Sequence, residues 1–283
     1  MARIRKLVAT LGRRGPHRVL RGDLAFAGLP GVVYTPESGL SLPGVAFGHD
    51  WLTGIAHYSG LFEHLASRGI VAGAPDTQRS LAPSVLNLAF DLGSTLDIVS
   101  GVRLGPGKIS VHPAKLGVVG HGFGGSAAVF AAAGMSGSAG VPVRSVAALF
   151  PTVTSPPAEH PAATLKVPGV ILAAPGDPKT LNSNAPALSA AWDKATLRIV
   201  SKAEPRGLVE GRRLAKAFGL GGSHRRTQRS VRALLTGYLL ATLGGDKAYR
   251  DFADPDVHLP RTDLVDPEAP PIPLEEKIVA LLK

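Results

Sequence analysis

The chain has 283 residues, 45% of them hydrophobic, no cysteine, and a formal net charge of +10 from 31 basic and 21 acidic side chains. That apolar content suffices for one large folded domain, while the missing cysteines exclude disulfides and thiolate metal sites. No uncharged apolar run approaches the ~18 residues of a membrane span, and the basic balance favours anionic partners.

Residues 1–22 hold seven cations (Arg3, Arg5, Lys6, Arg13, Arg14, Arg18 and Arg21) and no acid. Ile4, Leu7, Val8 and Leu11 recur at helical spacing, so a basic amphipathic helix ending near Gly12 is expected. Its apolar stripe has two uses: packing on the parent domain, or contact with an anionic membrane surface through residues 1–21. The segment lacks a signal-type apolar region and a small-residue cleavage site, so the expected location is cytoplasmic, with membrane association on that face. From Asp23 onward strands and helices alternate. Leu24–Tyr34 reads as a hairpin turning at Pro30-Gly31, and Val45–Phe47 as a strand ending in Gly48-His49-Asp50. Tyr58–Ser67 is a helix, Ile70–Ala74 a strand closing on Pro75-Asp76-Thr77, and Val85–Val99 a helix. Leu116–Val119, Val146–Phe150, Val170–Ala174 and Leu197–Val200 are further strands. Ser126–Ala133, Ala187–Trp192 and Gln228–Thr242 are further helices. Such alternation predicts an α/β fold with a mainly parallel sheet covered by helices on both faces. The organisation expected is a basic segment over 1–22, one α/β domain over 23–262, and a proline-rich linker with a short helix (Leu274–Leu282) over 263–283.

The stretch Leu116–Gly125 carries the most information. A buried strand runs into Gly120-His121-Gly122-Phe123-Gly124-Gly125 and then into a helix. Gly120 and Gly124 flank the centre of a turn too tight for side chains, and Gly122 occupies the centre. A dinucleotide-binding loop is a weaker reading, because that motif normally opens a chain and is followed by an acid roughly 20 residues on; here no acid occurs from Phe123 to Pro157.

The turn resembles the G-x-S-x-G nucleophile elbow of the α/β-hydrolases, with glycine in place of the serine. Residues 40–205 are similar to the bacterial cutinases, polyester hydrolases and dienelactone-hydrolase-like lipases. Gly48-His49 resembles their oxyanion turn, and Leu65-Ala66-Ser67-Arg68-Gly69-Ile70-Val71 with Pro75-Asp76-Thr77 resembles one of their helix–strand segments. Pro157-Ala158-Glu159-His160 before Val167-Pro168-Gly169 resembles the loop ahead of the acid-bearing strand. The resemblance implies an α/β-hydrolase fold and a chain order of serine, acid, histidine. It puts the acid at Asp177, in Ala174-Pro175-Gly176-Asp177, and the base at Pro205, in Lys202-Ala203-Glu204-Pro205. Proline has no proton to exchange, so general-base catalysis at that position is excluded. What the resemblance leaves is a vacant nucleophile position (Gly122), a vacant base position (Pro205), a remnant acid (Asp177), and the N–H groups of His49 and Phe123 as an oxyanion hole.

The function expected is a non-catalytic homologue binding an acyl, ester or lipid-like ligand or a protein partner. The alternative is a carboxylic ester hydrolase with relocated groups, Asp50 and His224 being the candidates. Asp50 and His121 are expected to line the ligand site, with His121 mainly packing behind the elbow. Ser126 is a weak substitute nucleophile, and His57 and His64 are structural. No cofactor is expected, and His49, Asp50 and His121 match no common metal-ligand spacing. The basic run Gly221–Arg232, with Arg225, Arg226, Arg229 and Arg232, reads as a solvated helix start; no nucleic-acid motif accompanies it and aromatics are few, so no nucleic acid is expected.

Overall fold

The computed structural model describes residues 2–136, 142–177, 180–211 and 223–263. The expected helix Leu274–Leu282 and its linker lie outside the described residues. In chain order the elements are α1 (Ala2–Leu11), β1 (Val19–Asp23), β2 (Gly31–Pro36), β3 (Gly39–Gly48), α2 (Ser59–Ser67), β4 (Val71–Pro75), α3 (Val85–Gly101), β5 (Ile109–His121), α4 (Phe123–Ser136) and β6 (Val143–Leu149). Then come α5 (Glu159–Ala162), β7 (Gly169–Ala173), α6 (Ala185–Ala191), β8 (Ala195–Val200), α7 (Arg225–Thr242) and β9 (Thr262–Asp263).

The strands form one nine-stranded sheet in the order β1-β2-β4-β3-β5-β6-β7-β8-β9. The six strands from β4 to β8 in that order are mutually parallel, and antiparallel β1, β2 and β9 flank them. Parallel strands buried on both faces need apolar residues at every position, and β3 ends in just such a run. Val45 and Phe47 face one core layer, formed with α1, α2 and α7. Ala46, one residue over, faces the other, formed with α3, α4, α5 and α6. This two-residue alternation assigns each strand's side chains to one of the two layers. The expected α/β fold with helices on both faces of a mainly parallel sheet is what the chain adopts.

Two local expectations change. The hairpin expected over Leu24–Tyr34 instead joins β1 to β2, with Leu24–Ala27 forming a 3-10 turn between them. Asp23 decides this, because its side chain accepts the Ala25 N–H at 2.9 Å and caps the turn. β1 itself is mostly exposed, so it carries no apolar alternation to betray it. The apolar stripe of α1 is turned inward: Ile4, Val8 and Leu11 are buried in the layer shared with α2 and α7. Arg68, just past α2, clasps the end of α1, one guanidinium nitrogen donating to the carbonyls of Thr10 (2.6 Å) and Arg13 (2.8 Å).

Candidate functional site

Topology gathers the loops that follow β4, β3, β5 and β6 side by side at the C-terminal ends of four adjacent parallel strands. Open α/β sheets hold their ligands at this edge. At its centre Gly122 links β5 directly to α4 with φ +54°, a left-handed conformation that favours glycine. Its N–H donates to the Leu149 carbonyl at 3.0 Å, and its carbonyl accepts from Gly125 N at 3.0 Å and Thr152 N at 3.2 Å. The flanking glycines are required sterically: a Cβ on Gly120 would strike the Gly124 backbone, and one on Gly124 would strike the Gly48 backbone.

The space above Gly122 is filled by Asp50. A Cβ added at Gly122 would overlap the Oδ1 and Cγ atoms of Asp50. Asp50 Oδ1 accepts the Phe123 N–H at 3.0 Å and the Trp51 N–H at 2.8 Å. Phe123 N belongs to the first residue of α4, where the unpaired N–H groups and the helix dipole favour an anion. The protein supplies that anion itself. Asp50 Oδ2 accepts no hydrogen bond from any described residue.

Behind the carboxylate runs a hydrogen-bond chain. The Asp50 N–H donates to Tyr58 Oη at 3.1 Å, and Tyr58 Oη lies 2.8 Å from His121 Nδ1. His121 Nε2 lies 3.1 Å from the carbonyl oxygen of Pro205. A carbonyl only accepts, so Nε2 carries the proton, and Nδ1 then accepts from the tyrosine hydroxyl. Both nitrogens of this buried ring are engaged. Pro205, in the 3-10 turn Pro205–Leu208, therefore sits beside the elbow, tied to it through its backbone.

The remaining residues singled out from the sequence fall in distinct places. His49 is buried, with Nδ1 2.9 Å from the Asp50 carbonyl and Nε2 2.7 Å from the Thr77 carbonyl, a brace between the loops after β3 and β4. Asp177 is buried where β7 ends; its Oδ2 accepts the Ala174 N–H at 2.7 Å, and the described residues bring neither a histidine nor an arginine to it. Burial pushes its carboxyl up from 3.8 to about 6, against the Ala174 N–H, which lowers it. His224 precedes α7, its N–H donating to the Gly207 carbonyl at 2.9 Å and its Nδ1 2.8 Å from Thr227 Oγ1. Ser126 donates to the Thr152 carbonyl at 2.6 Å, which turns its oxygen behind the elbow. His57 Nδ1 pairs with the Glu210 carbonyl at 2.8 Å. His64 is buried, with Nε2 unpartnered among the described residues; burial first, then the nearby Arg232 and Arg68 charges, push it down to about 4.

Sequence reasoning missed Tyr58, whose hydroxyl joins the loop after β3 to His121. No sequence signal marks a tyrosine eight residues past Asp50 as part of a relay. The filling of the space above Gly122 by Asp50 did have a signal: an acid in the turn Gly48-His49-Asp50, which resembles an oxyanion turn, and a glycine at the centre of the turn after β5. Among the described residues no group of three or more His, Asp or Glu side chains is arranged to hold a metal ion. Compared with known proteins, the chain matches no family model and no curated sequence.

Among the described residues at this edge, no serine hydroxyl is hydrogen-bonded to a histidine. Asp50 Oδ1 meets two backbone N–H groups, not a base. The two ring nitrogens of His121 are committed to Tyr58 and Pro205, and Ser126 is committed to a carbonyl.

Proposed function

We propose that this chain is an α/β-hydrolase-fold protein of the cutinase-, polyester-hydrolase- and dienelactone-hydrolase-like kind whose site binds and does not cleave. One observation carries the reading: the Asp50 carboxylate lies where a nucleophile side chain would stand and accepts the Phe123 N–H at 3.0 Å. An oxyanion hole stabilises an ester's tetrahedral intermediate by leaving donors open for the developing charge. Here the Phe123 donor is already satisfied by an anion of the protein. The absence of a base at Pro205 supports the same conclusion independently, since a serine placed at the elbow would still lack its proton acceptor. Two losses and one occupied donor describe a site withdrawn from acyl transfer.

The test is hydrolysis of p-nitrophenyl acetate and butyrate. The expected result is wild-type turnover at the buffer rate, with activity appearing only when Asp50→Gly, Gly122→Ser and Pro205→His are combined. Leaving Asp50 in place would keep the new hydroxyl out of position. Wild-type turnover abolished by Asp50→Asn or by His224→Ala would overturn the reading and establish an ester hydrolase with relocated groups.

A further inference from the structure

Much of the chain's positive charge converges where α1 meets α7. The two helices lie side by side. At one end a Cβ on Gly12 would stand 3.1 Å from Arg229 Cγ; at the other, Arg3 Nη2 donates to the Ala248 carbonyl, beyond the end of α7, at 3.3 Å. Arg5 on α1, Arg13 and Arg14 just after it, and Arg225, Arg226 and Arg229 in the first turns of α7 are all exposed. Arg261, in the turn before β9, stands close enough to Arg226 and Arg229 to feel their charges. Arg68 holds the carbonyls of Thr10 and Arg13 and so fixes the end of α1 in this cluster. Residues 2–15 and 223–232 contain nine cations and no acid.

The described residues do not neutralise this charge. Their ion pairs are Arg18–Glu37, Arg79–Asp76, Arg232–Glu210 and Arg250–Asp251, which leaves the cations of α1 and those from 225 to 229 without an acid among them. Glu204 lies beside α7, its N–H donating to Thr227 Oγ1 at 3.1 Å, and forms no such pair. α7 also begins with no acid in its first turn and no side-chain cap, so the positive end of its dipole meets Arg225 and Arg226. Burial first, and then the charges of Arg229 and Arg226, push the Arg261 pKa down. Crowding like charges in this way works against the fold, and an anion from outside relieves it.

We infer that this face binds an anionic lipid surface, with Arg5, Arg13, Arg14, Arg225, Arg226 and Arg229 on the headgroup anions and α1 still packed on α7. The inference is independent of the reading of the elbow. Two observations favour a lipid surface over nucleic acid. First, neither helix is free to enter a groove: α1 buries Ile4, Val8 and Leu11, and α7 is buried at most positions from Thr227 to Leu239, whereas direct readout puts a helix inside the major groove. Second, the exposed large apolar side chains of the described residues, Phe26, Trp51 and Phe90 among them, lie outside α1, α7 and the turn before β9. That leaves no platform for stacking bases. A plane of headgroups needs neither feature. It needs a broad array of cations, and the ten residues of α1 alone span roughly 15 Å. With no exposed apolar group on this face, the contact is electrostatic and sensitive to salt.

The experiment sediments the full chain with vesicles. Phosphatidylcholine containing roughly 30% phosphatidylserine is compared with phosphatidylcholine alone, at low salt and in ~0.5 M NaCl. Binding is expected to the serine-containing vesicles only, reversed by the salt. A cation near an anionic leaflet is worth about fivefold in affinity, so combining Arg225→Gln, Arg226→Gln and Arg229→Gln should weaken binding on the order of 100-fold, and Arg5→Gln with Arg13→Gln and Arg14→Gln likewise. A control triple, Arg103→Gln, Lys108→Gln and Lys166→Gln, removes the same charge beside Leu104 and Leu165 of the other core layer. Its binding should stay within ~3-fold of wild type. The substituted side chains are all exposed, and an unchanged circular dichroism spectrum checks that each variant folds. No sedimentation with the serine-containing vesicles, equal sedimentation with both kinds, or equal losses in the control and the two face triples would overturn the inference. A final arm adds a ~20-base-pair DNA duplex at the same phosphate concentration as the lipid. Protein held by the duplex in place of the vesicles would assign the face to nucleic acid and overturn the inference too.

Discussion

Replacing Gly122 by serine tests the elbow and its occupant together. Two costs add. The left-handed φ of +54° is unfavourable for a residue with a Cβ by roughly 1–2 kcal/mol. The new Cβ would also overlap Asp50 Oδ1 and Cγ, so the carboxylate must leave its two backbone donors, Phe123 N and Trp51 N. Hydrogen bonds to a charged group contribute about 1.5–3 kcal/mol each when buried. Asp50 is only partly buried, and water replaces part of the loss, so about 1–2 kcal/mol for the displacement is reasonable. Gly122→Ser should therefore cost ~2–4 kcal/mol, a fall in Tm of several degrees for a chain of this size. The two contributions separate in a double-mutant cycle with Asp50→Ala, followed by urea unfolding. Without the carboxylate to displace, Gly122→Ser should cost only its backbone share, leaving a coupling of about 1–2 kcal/mol. Additivity within ~0.5 kcal/mol would refute the claim that Asp50 occupies the space a side chain at position 122 would take, and a Gly122→Ser protein as stable as wild type would refute the strained turn as well.

Two buried titrating groups should give the stability profile opposing slopes. The folded pKa of Asp177, about 6 against 3.8, means that the native state holds its proton more tightly. Its burden is absent below pH ~4, grows through the window up to 6 and is complete above it, where Asp177→Asn should stabilise by up to about 3 kcal/mol. Urea midpoints at pH 4 and pH 8 check this, and a gain equal at both would contradict it. His64 runs the other way. Its folded value of about 4 lies below 6.5, so stability is full above pH 6.5 and is lost as the pH falls toward 4, by roughly 3 kcal/mol. The groups facing it are Arg232 on α7, Arg68 after α2 and the Leu11 backbone. His64→Leu should flatten the acid limb between those values; an unchanged limb would assign the acid sensitivity elsewhere.

The layered α/β plan was legible because periodicity reports burial. The strand around Val45–Phe47 and those at Val146 and Val170 are apolar at every position, and only a sheet covered on both sides makes use of that. Where burial is weak the sequence was silent: β1 is exposed along most of its length, and its course is set by the Asp23 cap. Strand lengths were underread for the same reason. β5 begins at Ile109, but His112, Pro113 and Lys115 interrupt the apolar run that marks its end. At the site, a tight turn needing glycine at 120 and 124 follows from local sterics that sequence spacing encodes. The pairing of Asp50 with Phe123 joins residues 73 apart, and the Tyr58–His121 contact joins residues 63 apart. Such contacts depend on where the folded sheet sets its loops, which spacing along the chain does not express.

The inward-turned stripe of α1 sets up a competition. Ile4, Val8 and Leu11 are part of the domain's own core layer, and Arg68 secures the helix end by its carbonyls. A bilayer seeking those same side chains would have to strip the helix from α2 and α7 and leave an apolar scar in water. Lipid insertion and folding are thus linked with opposite sign for this segment: vesicles that captured the helix would lower the domain's melting temperature. Its arginines carry no such conflict, and they face solvent with the helix still docked.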